Sequence, residues 1–167
     1  MSSQNLKFIA DHNVAKLGRW LRMIGYDTTV FNESDDWQMI RIALAENRII
    51  ITRDTGVMKR RVITSGRLKA LLVISDEPEE QIRQVIKTFQ LDNQKSLTLC
   101  LECNATLVPI DRESAKQRVP SYVYKTQNQF VDCPICHRVY WQGTHWNAMK
   151  QKLKKLDFSN NKADDEK

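Results

Sequence analysis

At 167 residues the chain suits one ordinary domain, or one domain with a small appendage. No run approaches the ~18 consecutive apolar residues of a membrane span. The opening Met1-Ser2-Ser3-Gln4-Asn5 lacks the basic and apolar regions of an export signal, so a cytoplasmic protein without a membrane partner is expected. The formal net charge of +6 suits a polyanionic partner, because Lys and Arg that neutralise phosphates release counterions.

Leu6-Lys7-Phe8-Ile9-Ala10 reads as a short buried strand ending at Asp11. Val14, Leu17, Leu21 and Ile24 then recur at helical spacing, and Gly25 is a natural stop. Thr28 to Phe31 is β-branched and aromatic, a second strand. Asn32 to Asp35 can cap a helix that carries Trp37, Ile40, Ala43 and Leu44 inward and ends near Asn47. Ile49-Ile50-Ile51-Thr52 is the clearest strand, with Asp54 close behind, and Gly56 to Ser65 reads as helical. Ala70 to Ile74 is a further apolar strand before Ser75-Asp76, and Ile82, Val85, Ile86 and Phe89 mark a helix behind Pro78.

Short, continuously apolar strands alternating with helices predict an α/β fold whose parallel sheet is covered on both faces. After Leu91 the character changes. Asp92 to Ser96 is a polar linker, and short β-prone pieces rather than helices are expected from Cys100 to Trp146. A lysine-rich helix from about Asn147 to Leu156 closes the fold. The expected division is an α/β domain over 1–93, a metal-bound segment over 94–156 and a disordered polar tail over 157–167.

Cys100-x-x-Cys103 and Cys133-x-x-Cys136, separated by 29 residues, have the layout of a zinc ribbon. Each pair forms a knuckle that aims two sulfurs at one point. Four thiolates close the coordination sphere, so the Zn²⁺ would be structural, and neither His137 nor His145 is needed as a ligand. Disulfides are not expected without export.

Asp11 and Asp54 follow strands one and three, Asp36 opens the second helix, and Asp76 follows strand four. Ligand sites of open parallel sheets lie beyond the carboxyl ends of the strands. Carboxylates gathered there call for a hard cation such as Mg²⁺ or Mn²⁺, which can activate water for phosphodiester hydrolysis. Each acid alone could equally be a helix cap. Asp11-His12-Asn13 lacks the second Asp of a phosphatase, and no glycine-rich phosphate loop follows a strand. Lys16, Arg19 and Arg22, at i, i+3 steps just downstream of Asp11, could clamp a phosphate or could be a solvated helix face.

Phe8-Ile9-Ala10-Asp11, then Lys16-Leu17-Gly18-Arg19-Trp20-Leu21-Arg22-Met23-Ile24-Gly25-Tyr26-Asp27, resembles the opening signature of the Mut-seven C-terminal RNase domain family. Ile49-Ile50-Ile51-Thr52-Arg53-Asp54 is similar to its second signature. The stretches Cys100 to Asn104 and Cys133 to His145 are similar to its zinc-ribbon motifs. The resemblance implies a PIN-like three-layer nuclease fold with a fused C-terminal ribbon. It also implies a metal-binding catalytic set of Asp11, Asp36 (favoured over Asp35) and Asp54. Gly56 stands where the PIN pattern has a fourth acid, with Asp76 the candidate substitute.

The function expected is a metal-dependent ribonuclease acting on RNA, structured or ribosome-associated. Lys16, Arg19, Arg22 and Arg53 would contact the substrate, and the ribbon would aid RNA binding, with Tyr140, Trp141 and Trp146 beside Arg138 and Lys150. Its competitors are a non-catalytic RNA- or ribosome-binding module and a protein–protein adaptor.

Overall fold

The structure, a computed structural model, describes residues 5–158. Four short strands, β1 (Phe8–Ala10), β2 (Thr28–Val30), β3 (Ile49–Thr52) and β4 (Ala70–Leu72), form one parallel sheet in the order β2-β1-β3-β4. Their residues are nearly all apolar because helices cover both faces. On one face, α1 (Ala15–Met23) and α5 (Pro78–Phe89) enclose Phe8, Ala10, Leu17, Leu21, Ile82 and Val85. On the other, α2 (Asp36–Glu46) and the single turns α3 (Thr55–Met58) and α4 (Arg61–Thr64) enclose Ile9, Ile40, Ala43, Ile50 and Val57. Asp35 caps α2 by accepting from the backbone N–H groups of Trp37 and Gln38, and Asn47 ends it in a left-handed conformation.

Gly18 sets the distance between α1 and the sheet. A Cβ there would lie 2.6 Å from Val30 Cγ2 and 3.2 Å from the Ala10 Cβ, so the helix could not pack this closely on β1 and β2 with any other residue. Gly25, at φ +96°, turns the chain out of α1, and a side chain on it would strike the Lys95 carbonyl.

The second part of the chain carries an antiparallel sheet, β5 (Val108–Ile110), β6 (Phe130–Asp132) and β7 (Val139–Trp141), in that order. Two short helices, α6 (Arg112–Ala115) and α7 (Ser121–Thr126), lie between β5 and β6, where the sequence suggested only β-prone pieces. They supply Ala115 and Val123 to a small separate core with Phe130, covering the apolar face of the three short strands. The closing helix α8 (Thr144–Lys154) starts earlier than expected. Its Met149 and Leu153, with Leu156 beyond it, join the α1–α5 core and not the small one. Phe158, placed by the sequence in the disordered tail, packs against that same core; the rest of that tail, 159–167, lies outside the described residues.

Three apolar side chains expected inside are outside. Trp37 is 58% exposed, Leu44 38% and Ile74 81%, the last because β4 ends at Leu72. Among the described residues no helix is long and apolar enough to cross a membrane.

The two parts meet at Arg22. This buried guanidinium donates to the carbonyls of Thr28 (2.9 Å), Leu101 (2.9 Å) and Glu102 (3.0 Å). Burial pulls its pKa down, while the sulfurs of Cys100 and Cys103 and the Glu102 carboxylate act in the opposite direction. Alongside, Asn104 accepts from the Thr28 N–H and donates to Asp27 Oδ1, and the Leu97 N–H donates to the Met23 carbonyl. Replacing Arg22 by Ala leaves three carbonyls without their charged donor, so a loss of about 3 kcal/mol is expected in urea denaturation of the metal-loaded protein. Arg22→Lys should recover less than half of it, because one ammonium cannot reproduce the planar fork.

Candidate metal centre and acidic edge

Two knuckles with the same backbone geometry build the cysteine site. In the first, the Asn104 N–H donates to the Cys100 carbonyl and the Cys100 N–H to the Ala105 carbonyl. In the second, the His137 N–H donates to the Cys133 carbonyl and the Cys133 N–H to the Arg138 carbonyl. Asn104 (φ 68°) and His137 (φ 60°) are both left-handed, which closes each turn and folds its two sulfurs inward. The N–H groups of Ile135 and Cys136 point at Cys133 Sγ, both at 3.4 Å, the arrangement that favours a thiolate.

The four sulfurs all lie within 4.8 Å of one another. Among the described residues they are the one group of three or more His, Cys, Asp or Glu side chains gathered so closely. A tetrahedron with Zn–S bonds of about 2.3 Å has edges of about 3.8 Å. The Cys100–Cys136 and Cys103–Cys133 separations of 3.6 and 3.0 Å are near that value, and no disulfide joins the four.

The electrostatics also call for a cation. Burial resists ionisation of Cys100, yet the Tyr140 hydroxyl at 3.1 Å and the N–H groups of Cys103 and Glu102 bring its pKa down to about 6. Burial and the neighbouring Cys133 sulfur push Cys103 up to about 12. A dication removes this conflict by letting all four ionise. The residues present therefore fit zinc, and they are positioned to hold one metal ion.

At the other end of the sheet lie the acids. The chain leaves β1 for β2 on one side, then crosses back to β3 on the other, so the strand order reverses between β1 and β3. Crevices at such reversals are where open parallel sheets bind ligands. Asp11 and Asp54 stand at the carboxyl ends of those two strands, and Thr52, buried at the end of β3, joins them. Its hydroxyl donates to Asp11 Oδ2 (2.7 Å) and accepts from the Asp54 N–H (3.0 Å).

Asp11 is 3% exposed and receives further contacts from the His12 N–H and His12 Nδ1 (both 2.7 Å) and from Asn13 Nδ2 (3.1 Å). Asn13 Oδ1 in turn accepts from the Arg53 N–H. Asp54 accepts from the Gly56 N–H at 2.6 Å and caps α3. Thr52 and Asn13 were missed in the sequence. Both belong to motif stretches, but nothing in a hydropathy pattern separates a hydroxyl that links two acids from one that fills a strand.

The remaining acids are engaged elsewhere. Asp36 pairs with Arg60 at 3.1 Å, the same guanidinium lying 4.9 Å over the Trp37 ring. Asp76 pairs with Arg53, which accounts for the Arg53 side chain as well. Of the expected phosphate contacts, Lys16 and Arg19 are exposed on α1. Arg22, expected to contact phosphate, is instead buried, with its Nε and Nη1 serving three carbonyls. The aromatic residues divide too. Tyr140 bonds Cys100, Trp141 packs on the small core, and Trp146 packs against the large one.

A mixed α/β unit with a parallel four-stranded sheet, joined to a four-cysteine knuckle site positioned to hold a metal ion, defines the class of the chain. The Mut7-C RNAse domain model matches residues 6–153, spanning sheet and ribbon together, and the chain belongs to that family. No curated protein matches it.

One metal ion per chain is expected by elemental analysis, with zinc the ion that four thiolates select. Cys103→Ser should lower its affinity at least tenfold in a chelator competition. Retention of full stoichiometry by a Cys103→Ser/Cys133→Ser variant would contradict the site.

Proposed function

We propose that the protein is a metal-dependent ribonuclease whose reaction centre is the β1–β3 edge, in a reducing compartment that keeps its cysteines available for structural zinc. The observation that carries the reading is the Asp11–Thr52–Asp54 linkage at the switch point of the sheet. Oxygen donors of this kind fit Mg²⁺ or Mn²⁺, which would supply charge neutralisation and water activation for phosphodiester hydrolysis.

The chain's own part is to place and hold. Thr52 fixes Asp11 in its rotamer and ties the Asp54 backbone to it, which would keep both acids at the same edge of the sheet. His12 and Asn13, both exposed, are the neighbours of Asp11 that can swing away to open its lone pairs. Lys16 and Arg19 on the exposed side of α1 would orient the phosphate, Asp36 would join on release from Arg60, and Asp76 on release from Arg53. The ribbon would add affinity for RNA.

A second reading, a non-catalytic RNA-binding module, is favoured by one observation. Asp36 and Asp76 are already neutralised by Arg60 and Arg53, which leaves two acids at the edge where the family resemblance implies three or four.

Mixed structured and single-stranded RNA, incubated with zinc-loaded protein, should be cleaved with Mn²⁺ or Mg²⁺ and left intact without a divalent ion. Asp11→Asn/Asp54→Asn, purified identically, should show no cleavage. RNA that stays intact in every condition while both proteins bind it would replace the enzyme reading by the module.

Thr52→Val keeps the shape of the strand and removes the hydroxyl. A fall in kcat of at least tenfold with KM nearly unchanged is expected, since misplacement acts on the reacting geometry and not on RNA affinity.

A further inference from the structure

A concavity of about 1040 Å³ lies away from the acids, between α1 and the ribbon. Its charged lining consists of three arginines, Arg19, Arg118 and Arg138, against one carboxylate, Glu102. Arg118 is structural, bonding Asp132 Oδ2 and the His137 carbonyl at 2.8 Å each. The other two converge on one oxygen: Arg19 Nη2 is 2.7 Å and Arg138 Nη1 3.8 Å from Glu102 Oε1.

Both arginines are more than half exposed, at 54% and 61%. Exposed pairs of this kind contribute little, so a phosphate oxygen can take either arginine from Glu102 at small cost and gain a bidentate contact. Tyr122 on α7 presents its ring at 68% exposure to the same groove, and Trp141 forms part of the wall. Tyr122 is the one exposed large hydrophobic side chain among the described residues that lines it. Cationic forks beside isolated flat rings, with no exposed aliphatic patch, suit a chain of phosphates and unstacked bases better than the apolar core of a protein interface.

We infer that this groove is a binding site for a single-stranded RNA segment, with Arg19 and Arg138 transferring from Glu102 to phosphate and Tyr122 stacking on a base. The inference deepens the ribonuclease reading by giving its substrate a form, and rests on RNA as the ligand but not on RNA cleavage. An open groove with exposed rings on its walls can take splayed bases, whereas a duplex keeps its bases stacked inside. The site also depends on the metal: Glu102 lies inside the first knuckle and Arg138 directly follows the second. Lys16, one step of three residues before Arg19 on α1, continues the cationic track toward Asp11.

The test uses full-length, zinc-loaded Asp11→Asn/Asp54→Asn protein without added divalent metal, so cleavage plays no part. Anisotropy of a short fluorescein-labelled oligouridine reads the groove. Added to this background, Arg138→Ala should weaken binding about tenfold and reduce the salt slope by about one. Tyr122→Ala should weaken it about tenfold, with Tyr122→Phe restoring it. Glu102→Gln removes the competing carboxylate and should tighten binding, a gain that misfolding cannot imitate. Oligouridine that does not bind, binds equally to the Arg138→Ala/Tyr122→Ala protein, or is matched in affinity by a hairpin duplex would overturn the inference. Failure of cleavage in the native protein would leave it standing.

Discussion

A buried guanidinium stands at the junction of the two parts of this chain, beside the α8 side chains that pack into the α1–α5 core. Among the described residues Arg22 has no carboxylate in ion-pair contact; its charge is shared among three carbonyls, one from the start of β2 and two from the first cysteine knuckle. A buried cation satisfied only by dipoles is costly unless opposite charge lies near, and the thiolates of the knuckle provide it. Zinc, once bound to four thiolates, leaves a net negative centre beside Arg22. Metal binding and docking of the two parts are therefore linked, since each supplies charge that the other needs.

The same dependence explains the Lys16-to-Asp27 stretch residue by residue. Gly18 lets α1 settle on the sheet, Leu17 and Leu21 fill the core, and Gly25 makes the exit turn. Arg22 and Asp27 hold the ribbon, Asp27 through Asn104, while the buried Arg48 fixes Asp27 from within the α/β part. What looks in the sequence like one cationic stripe near an acid divides, Arg22 serving as a socket inside the protein. Only Lys16 and Arg19 remain for a ligand. With nine residues rising about 1.5 Å each, α1 is a rod of roughly 13 Å that carries the acids at its start and the ribbon at its end.

Much of this was legible in the order of residue types. Continuous apolar runs such as Ile49-Ile50-Ile51 have no other home than a sheet covered twice, and the cysteine spacing admits few geometries. Signals failed where exposure depends on a tertiary partner. Trp37 has the hydropathy of a core residue, yet stacks with Arg60 at the surface. Arg22 has the charge of a surface residue, yet lies inside because distant carbonyls wait for it. The short helices α6 and α7 escaped because four and six residues carry almost no periodicity. Thr52 escaped for a different reason: its role is set by which two acids the strand order brings beside it.

The proposed function separates two metal chemistries, soft thiolates in the ribbon and hard carboxylates that would hold a second ion at the β1–β3 edge. Crystals of the zinc-loaded protein soaked in MnCl₂, with anomalous data collected at the zinc and manganese edges, test it most directly. The expected result is zinc among Cys100, Cys103, Cys133 and Cys136 and manganese between Asp11 and Asp54. Manganese absent from the β1–β3 edge at saturating concentration, or zinc found there in place of the knuckles, would contradict it.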